Sequence, residues 1–461
     1  MISNQTEKLD SSFRDPSGFV FARGGNVYRQ VNLKYKDNYD LLKTSGLYEN
    51  LTGKGMLICH EEVSAEPFDS SSVYKVLKPY QMPFISYPSE WCFSQLKDAA
   101  SLTMDVVLEA IDKGMILKDA SAYNVQFDKG RPILIDTLSF EKYVEGAPWV
   151  GYRQFCQHFL APLSLMAYRD TRLCKLLSVH VDGIPLDLAS SLLPNSSWFN
   201  RRLLSHLHLH SRWQGQSGQG AAKQTARISK DALKALLQDL KDAVGDLKLR
   251  SNNSLWADYT TNNNYEVASA QHKKKVVAEF IDRINPKKVI DLGANIGDYS
   301  RFASRAEFVI SADFDHDSVE MNYKRCGSEG INNILPLVVD LTNPTPAFGF
   351  ENKERLSFIE RGKADLVMAL ALIHHLAIAN NVPLSKVAHF LNCLGGHLIV
   401  EFVSKDDSQV TRLLESREDI FDTYNQASFE QAFQQFYDIL ACEQVEGTKR
   451  QLYLMQSRGN S

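Results

Sequence analysis

The sequence has few of the features by which disulfide-linked or zinc-binding proteins are recognised. It contains 7 cysteines among 461 residues, and no two of them form a C-x-x-C pair. An odd number of scattered cysteines argues against both a disulfide framework and a zinc module, and is typical of a reducing compartment. The cysteines are Cys59, Cys92, Cys156, Cys174, Cys326, Cys393 and Cys442. We therefore predict free thiols.

Long apolar runs and an excess of charge of one sign are also absent. No run of 18 apolar residues occurs, and the amino terminus is polar, without the apolar core of a signal peptide. The net charge of -4 gives no general attraction to nucleic acid or anionic lipid. These absences predict a cytoplasmic protein without a membrane span and argue against a nucleic-acid substrate. They do not constrain the oligomeric state.

The chain is too long for one ordinary hydrophobic core, so we expect more than one domain. The Gly- and Gln-rich segment QGQSGQGAAKQTA breaks every periodicity and predicts a linker. Beyond it, short β-rich runs alternate with helical segments, as in a parallel α/β sheet. We predict a flexible arm at 1–18, an α+β domain at 19–213, a linker and helix at 214–250, and an α/β domain at 251–461.

Turn and capping residues predict several local elements. Gly24 and Gly25 predict a hairpin turn between two short strands. The apolar spacing of CFSQLKDAASLTMDVVLEAIDKGM predicts a helix that ends at Gly114. Ser229 is the expected N-cap of a helix in SKDALKALLQDLKDAVGDLK.

The most informative stretch is KKVIDLGANIGDYSRFAS. It predicts a strand ending at Ile290, then Asp291, then a loop through Gly293, Asn295 and Gly297 that opens a helix. A ligand can lie close to the backbone N–H groups of such a loop. A dinucleotide-binding fold would give a similar pattern, although the full G-x-G-x-x-G is absent. A turn and helix cap without a ligand is the other alternative.

Further predicted strands end in polar residues. EFVISADFD predicts a second strand ending at Asp313, whose carboxylate can accept both ribose hydroxyls of an adenosine ligand. NILPLVVDL predicts a third strand ending at Asp340, in position to approach an adenine edge. ADLVMALALIHHL predicts a fourth strand followed by His374 and His375, and GGHLIVEFV predicts a fifth that contains Glu401.

In this order and spacing, VIDLGANIGDYS, SADFD, VVDL and ADLVMALALIHHL resemble the class I S-adenosylmethionine-dependent methyltransferases. The resemblance covers 256–461 and implies a Rossmann-like, seven-stranded α/β sheet with a reversed final hairpin, to which QLYLMQS would supply the last strand. It implies S-adenosyl-L-methionine as the cofactor. The residues implied for cofactor binding are Asp291, Gly293, Asn295, Gly297, Asp313 and Asp340. The carboxy-terminal stretch EFVSKDDSQVTRLLESREDIFDTYNQASFEQAF resembles a bacterial subgroup of large methyltransferases that includes nodulation-associated proteins.

Aromatic residues precede the first strand of this domain. In the family a segment here often closes over the cofactor, so Trp256, Tyr259 and Tyr265 are of interest. Tyr265 is the candidate to pack on the sulfonium, where a cation over a ring gains about 0.5–2 kcal/mol. Ordinary packing of a leading helix is the alternative.

His374, His375 and Glu401 are the candidate catalytic residues. Histidine suits proton transfer at neutral pH, and a base helps when the methyl acceptor is a hydroxyl or an ammonium. A helix-start or supporting role is the alternative for each histidine. No Asn-Pro-Pro-aromatic tetrad follows the fourth strand, which argues against amino-methyltransferases of nucleobases and glutamine. We expect an oxygen or nitrogen acceptor on a small or carbohydrate-like molecule, which the sequence does not identify.

A second motif lies in the amino-terminal half. ILKDASAYNVQFDKGRPILID has the spacing D-x4-N-x11-D at Asp119, Asn124 and Asp136. It resembles the catalytic loop of kinase-like phosphotransferases, which implies roles in orienting a hydroxyl and holding magnesium on nucleotide phosphates. The flanking residues depart from that family, and a β-hairpin with solvated polar residues is the alternative. The functional alternatives are therefore a bifunctional protein with an ATP-binding first domain, or a non-catalytic cofactor-binding scaffold.

Overall fold

The computed structural model of the protein describes residues 6–210, 227–249, 267–415 and 418–459. The chain divides into two compact units. Unit 1 comprises Met1–Ser251 and Ala347–Leu356, and unit 2 comprises Asn252–Pro346 and Ser357–Ser461. The predicted linker segment 214–226 and Tyr265 lie outside the described residues.

A five-stranded antiparallel sheet forms in the described amino-terminal part of unit 1. Its strands are Glu7–Lys8 (β1), Gly18–Arg23 (β2), Asn26–Asn32 (β3), His60–Glu62 (β4) and Val73–Pro79 (β5). They lie in the order β1-β2-β3-β5-β4. Gly24 and Gly25 form the predicted hairpin turn, with φ of 55° and 79° that glycine adopts without steric cost. Strand β1 lies within the segment that the sequence predicts as a flexible arm.

The described part of unit 1 also contains two strand pairs and a set of helices. The pairs are Met115–Leu117 (β6) with Phe140–Lys142 (β9), and Val125–Asp128 (β7) with Arg131–Leu134 (β8). The α-helices are Lys36–Thr44, Leu47–Gly53, Phe93–Asp112, Tyr152–Phe155, Ala161–Tyr168, Leu176–Val179, Leu186–Leu192, Arg201–Leu203 and Lys230–Asp246. Two π-helices occur at Cys156–Leu160 and Leu204–Leu209.

The two helices predicted in this half are present. Phe93–Asp112 is followed by Gly114 with φ of 75°, as its predicted end requires. Lys230–Asp246 packs against it. Ser229 caps the second helix, because its Oγ accepts a hydrogen bond from Ala232 N at 3.3 Å.

A seven-stranded sheet forms in the described part of unit 2. Its strands are Lys288–Leu292 (β10), Phe308–Asp313 (β11), Ile334–Val338 (β12), Ala364–Ala369 (β13), Gly395–Phe402 (β14), Tyr437–Gln444 (β15) and Gln451–Ser457 (β16). The order is β12-β11-β10-β13-β14-β16-β15. The first five strands in this order pair in parallel, and β16 pairs antiparallel with both β14 and β15. The predicted mixed α/β class with a largely parallel sheet is confirmed.

Helices flank this sheet and enclose its core. They are Val267–Ile284, His316–Glu329, Phe358–Arg361, Leu384–Asn392, Ser408–Leu414 and Gln426–Phe433, with a 3-10 helix at Ser300–Ala303 and a π-helix at His375–Ala379. Val277 of the first helix packs with Val289, Leu366 and Ile399 of the sheet, all fully buried. Strands β11 and β12 lie on one side of β10, and β13 and β14 lie on its other side. The strand order therefore reverses between β10 and β13, and ligands bind at such a point in open α/β sheets.

Within the described residues, no helix is long and apolar enough to cross a membrane.

Candidate functional site

The loop after β10 folds back onto the end of β11. The main-chain N–H groups of Gly293 and of the next residue both donate to the carbonyl oxygen of Ala312, at 2.9 and 3.0 Å. Gly293, Asn295 and Gly297 have φ of 71°, 51° and 77°, which glycine adopts freely and asparagine adopts more readily than most residues. A side chain at Gly297 would collide with the amide group of Asn322. The loop therefore needs glycine for both its conformation and its close packing.

Asp313, at the end of β11, lies beside this loop. Its Oδ2 accepts a hydrogen bond from Asn295 N at 2.7 Å, and its Oδ1 accepts one from Asp315 N at 2.9 Å. The residue is 7% exposed, and burial raises the pKa of its carboxyl group to about 6. At neutral pH the group is therefore ionised and acts as a hydrogen-bond acceptor.

Phe314 follows Asp313, and the residue is 53% exposed. An exposed ring beside a carboxylate offers an apolar face to a planar ligand. Phe314 was not predicted from the sequence as a site residue. Its place directly after the acidic end of a predicted strand was the available signal.

Asp291 lies inside the sheet and not beyond its end. Strand β10 continues to Leu292, past the predicted end at Ile290, and Asp291 is only 2% exposed. Its Oδ2 accepts a hydrogen bond from Ser300 Oγ at 2.6 Å. Burial raises the pKa of the Asp291 carboxyl group to about 7. Its charge therefore changes near neutral pH.

Asp340 begins a turn beyond the third strand of the sheet. Strand β12 ends at Val338, two residues before the predicted end at Asp340. The Asp340 Oδ1 accepts hydrogen bonds from the main-chain N and the Oγ1 of Thr342, at 2.9 and 2.7 Å. Val339 N donates to the carbonyl oxygen of Asp313 at 2.8 Å, so the turn begins beside Asp313.

The turn after β13 carries the two predicted histidines. The Leu372 side chain lies 3.3 Å from the position that a Cβ on Gly293 would take, so this turn contacts the glycine loop. His374 is 0% exposed, and neither of its ring nitrogens has a hydrogen-bond partner. Its ring lies 4.2 Å from that of His375, where a π-helix begins. Burial lowers the pKa of His374 well below its usual value, so the ring is neutral.

Glu401 in β14 is fully buried and bonded on both oxygens. Its Oε2 accepts hydrogen bonds from Lys273 Nζ at 2.6 Å and from Ala371 N at 2.7 Å. Its Oε1 lies 3.5 Å from Arg450 Nη1. Arg450 in turn bonds both oxygens of Asp407, at 2.8 and 3.1 Å. The candidate acid therefore belongs to a buried chain of charges.

Lys273 and Arg450 are site residues that the sequence analysis missed. Lys273 is 3% exposed, and burial lowers the pKa of its ammonium group. A signal was available, because Lys273 shares the helix face of Val276, Val277 and Phe280 at spacings of three, four and seven. Nothing local in the sequence marks Arg450.

In unit 1 the structure brings Asp119, Asn124 and Asp136 into one hydrogen-bonded cluster. Asp119 accepts hydrogen bonds from Gln154 Nε2 at 2.7 Å and from a main-chain N–H. Asp136 forms an ion pair with Arg29. Although burial opposes it, the Arg29 guanidinium holds the pKa of the Asp136 carboxyl group below its usual value. Arg29 was not predicted from the sequence as part of this cluster.

Further hydrogen bonds connect the residues of this cluster. The Asp136 Oδ2 also accepts a hydrogen bond from Ser139 Oγ at 2.5 Å, and Ser139 Oγ accepts one from Asn124 Nδ2 at 3.4 Å. Lys118, beside Asp119, bonds Ser17 Oγ at 3.0 Å. In the described parts of the chain, no group of three or more His, Cys, Asp or Glu side chains is arranged to hold a metal ion.

No family model matches the chain. Among solved structures, the N-methyltransferase NodS from Bradyrhizobium japonicum WM9 aligns at a TM-score of 0.32 and 9% identity, over 42% of this chain and 99% of NodS. The bifunctional kinase-methyltransferase WbdD aligns at a TM-score of 0.31 and 15% identity, over 43% of this chain and 42% of WbdD.

A full-length relative decides the family. The chain is 35% identical to the nodulation protein NoeA of Rhizobium meliloti (strain 1021) over an alignment of 462 positions, which spans 97% of this chain and 96% of that protein. The predicted resemblance to nodulation-associated proteins is therefore confirmed. On this identity, the chain belongs to the family of the nodulation protein NoeA.

Proposed function

We propose that unit 2 is a class I, Rossmann-like methyltransferase that uses S-adenosyl-L-methionine and methylates an oxygen or nitrogen of a small or carbohydrate-like acceptor. The observation that carries this proposal is the hydrogen bond between Asp313 Oδ2 and Asn295 N, at 2.7 Å. It joins an acidic strand end to a glycine loop beside the point where the strand order reverses. Open α/β sheets bind nucleoside-containing ligands at such a point.

The residues around Asp313 suit an adenosine ligand. Its carboxylate can accept the two ribose hydroxyls, and each such charge-assisted bond is worth about 1.5–3 kcal/mol. Phe314 is exposed and can cover the adenine. Asp340 follows Val339, whose N–H donates to the carbonyl oxygen of Asp313. Gly293 and Gly297 give the loop its positive φ angles and its close packing against Leu372 and Asn322. Asp291 supports this loop through Ser300, and Tyr265 stays a candidate to cover the sulfonium.

When bound, the cofactor supplies an electrophilic methyl group to an acceptor lone pair. The protein's part is to hold the acceptor in line, and such positioning can supply about 7–11 kcal/mol of the barrier. We assign to His374 the contact with the methyl acceptor, because neither nitrogen of its buried ring has a hydrogen-bond partner in the protein. A neutral imidazole can accept the proton that a hydroxyl acceptor loses. His375 lies beside it, whereas Glu401 is already bonded to protein groups.

The contacts of Asp136 in unit 1 do not favour phosphate transfer. The Asp136 carboxylate that would hold a metal–nucleotide complex is paired with Arg29 and bonded to Ser139. A non-catalytic scaffold would bind the cofactor and transfer no methyl group.

We also propose a cytoplasmic location, because the seven cysteines are free thiols.

Calorimetry with S-adenosylmethionine and S-adenosylhomocysteine tests the proposal. We expect the wild-type protein to bind both, and Asp313→Ala to weaken binding by at least about tenfold through loss of the ribose contacts. Glu307→Ala is the matched control, because Glu307 is exposed at the opposite end of β11 and pairs only loosely with Lys287, at 3.3 Å. A wild-type protein that binds neither compound contradicts the proposal. Binding with no methyl transfer to a panel of hydroxyl and amine acceptors favours the scaffold.

A further inference from the structure

Three buried charges meet at the carboxyl edge of the unit 2 sheet. Lys273, Glu401 and Arg450 are 3%, 0% and 6% exposed. Removing charges from water is costly, and such groups persist in protein interiors only when they are paired and hydrogen-bonded. Lys273 Nζ donates to Glu401 Oε2 at 2.6 Å, and Arg450 approaches the other oxygen at 3.5 Å. Lys273 Nζ also lies 4.9 Å from the centre of the Tyr299 ring.

The same carboxylate holds an unusual backbone conformation. Ala371 has φ of 51°, in the left-handed region that residues with a Cβ rarely adopt. Its N–H donates to Glu401 Oε2 at 2.7 Å. A strained turn persists only where its surroundings hold it, and this hydrogen bond is a direct restraint.

The restrained turn joins the two halves of the proposed site. On one side Leu372 packs over Gly293, in the glycine loop. On the other, His374 begins the segment that continues into a π-helix, a feature frequent at functional sites. The position of this turn therefore sets both the room above the glycine loop and the direction of the His374 ring.

We propose that Glu401 is a positioning residue, which fixes the turn from Ala371 to His374 through the Ala371 N–H while Lys273 and Arg450 hold its carboxylate in place. This inference rests on the proposed methyltransferase function and assigns Glu401 a role other than proton transfer. Both of its oxygens are engaged by protein donors or cations. A proton taken up by Glu401 would leave Lys273 and Arg450 facing a neutral group in a water-poor interior.

Two double variants separate the hydrogen bond from the charges. Lys273→Met with Glu401→Gln removes both charges but keeps an oxygen that can accept from the Ala371 N–H. Lys273→Met with Glu401→Leu removes both charges and that oxygen. Arg450 keeps Asp407 as its partner in both proteins.

The readout is the dissociation constant for S-adenosylhomocysteine, measured by calorimetry on folded protein beside the thermal midpoint. We expect the Gln double variant to bind within about threefold of the wild type and the Leu double variant to bind at least about tenfold more weakly. A purely structural role would lower both thermal midpoints and leave the two dissociation constants equal, and that result overturns the proposal. A wild-type protein that does not bind would instead refute the proposed function itself.

A measurement on the wild-type protein covers the case in which a variant does not fold. Hydrogen exchange at the Ala371 amide, followed without any ligand, reports directly on the bond to Glu401. We expect this amide to exchange at least about a hundredfold more slowly than in an unstructured chain. Exchange at the rate of an exposed loop overturns the proposal.

Discussion

Asp313 and Asn295 are joined by a hydrogen bond of 2.7 Å from the main-chain N–H of Asn295 to Asp313 Oδ2. The carboxylate at the end of β11 and the glycine loop after β10 therefore form one local unit. Asn295 has φ of 51°, so the bond also holds a residue in a sparsely populated conformation. A change in the charge of Asp313 should therefore alter both the binding of the ligand and the conformation of the loop.

The affinity for S-adenosylhomocysteine should fall as the pH is lowered through about 6. Burial raises the pKa of the Asp313 carboxyl group to about 6, and only its ionised form accepts from two ribose hydroxyls and from the Asn295 N–H. Each pH unit below about 6 should weaken binding by roughly tenfold. Calorimetry between about pH 5 and pH 8 measures this dependence.

The control for this pH dependence is Asp313→Asn, which has the shape of aspartate and no ionisation. It should bind weakly at every pH in that range and show no inflection near 6. Equal wild-type affinities at both ends of the range would mean that Asp313 does not contact the ribose.

Asp291→Asn should stabilise unit 2, most strongly above about pH 7. The pKa of Asp291 is raised from 3.8 to about 7 by burial, so between these values the folded protein keeps a proton that the unfolded chain has lost. Stability is therefore lost as the pH rises through this window, by roughly 1.4 kcal/mol per pH unit for this group. Asparagine does not ionise and can still accept from Ser300 Oγ. Thermal unfolding at about pH 5 and pH 8 gives the comparison, and a larger gain at the lower pH would contradict the assignment.

The sequence predicted those parts of the fold that depend on neighbouring residues. The Gly24-Gly25 turn, the Ser229 cap and the strand that ends at Asp313 all follow from local backbone preference and alternation of apolar residues. The predicted end of β10 was two residues too early, and that of β12 was two residues too late. The apolar pattern of a strand does not determine the residue at which its hydrogen bonding to the neighbouring strand ends.

Contacts between distant segments were not predictable in the same way. Lys273 and Glu401 are 128 residues apart, and only the folded sheet and helix bring them together. Lys273 lies in the run HKKK, which is typical of an exposed helix surface, and Glu401 lies near the end of a predicted strand. Neither pattern predicts a buried ion pair. Arg29 likewise lies in a β-strand far from the motif that contains Asp136. Because of these pairings, Glu401 is bonded to protein groups instead of being free for proton transfer, and Asp136 is paired with an arginine instead of being free to hold a metal ion.

His374→Leu should raise the free energy of unfolding by about 1 kcal/mol while leaving the affinity for S-adenosylhomocysteine within about threefold. A buried polar group without a partner costs about 1–3 kcal/mol, and both ring nitrogens of His374 are in that state. Chemical unfolding and calorimetry measure the two quantities. Methyl transfer to an acceptor should fall by about 10²–10⁴-fold if the ring handles the acceptor proton.

His375→Leu is the matched control for this variant, since it changes the adjacent ring, 4.2 Å away. It should not increase stability. A loss of more than about 1 kcal/mol in His374→Leu would show that the His374 ring supports the fold, with bonds to ordered water that satisfy its nitrogens.

Arg29→Met should destabilise unit 1 by about 3–5 kcal/mol at neutral pH, because it leaves the Asp136 carboxylate buried without its cation. The Arg29 charge lowers the pKa of Asp136 against burial, so the pair stabilises the fold above the ordinary aspartate range and loses this effect as the carboxyl is protonated. The loss should therefore be larger near pH 8 than near pH 4, as thermal unfolding can measure. Lys75→Met is the control, since the Lys75 and Glu62 side chains of its ion pair are each 38% exposed and the pair is worth under about 1 kcal/mol.

Because Asp136 is paired with Arg29, the wild-type protein should give no calorimetric binding signal with Mg-ATP. Micromolar binding that Asp136→Asn abolishes would instead establish a nucleotide site in unit 1.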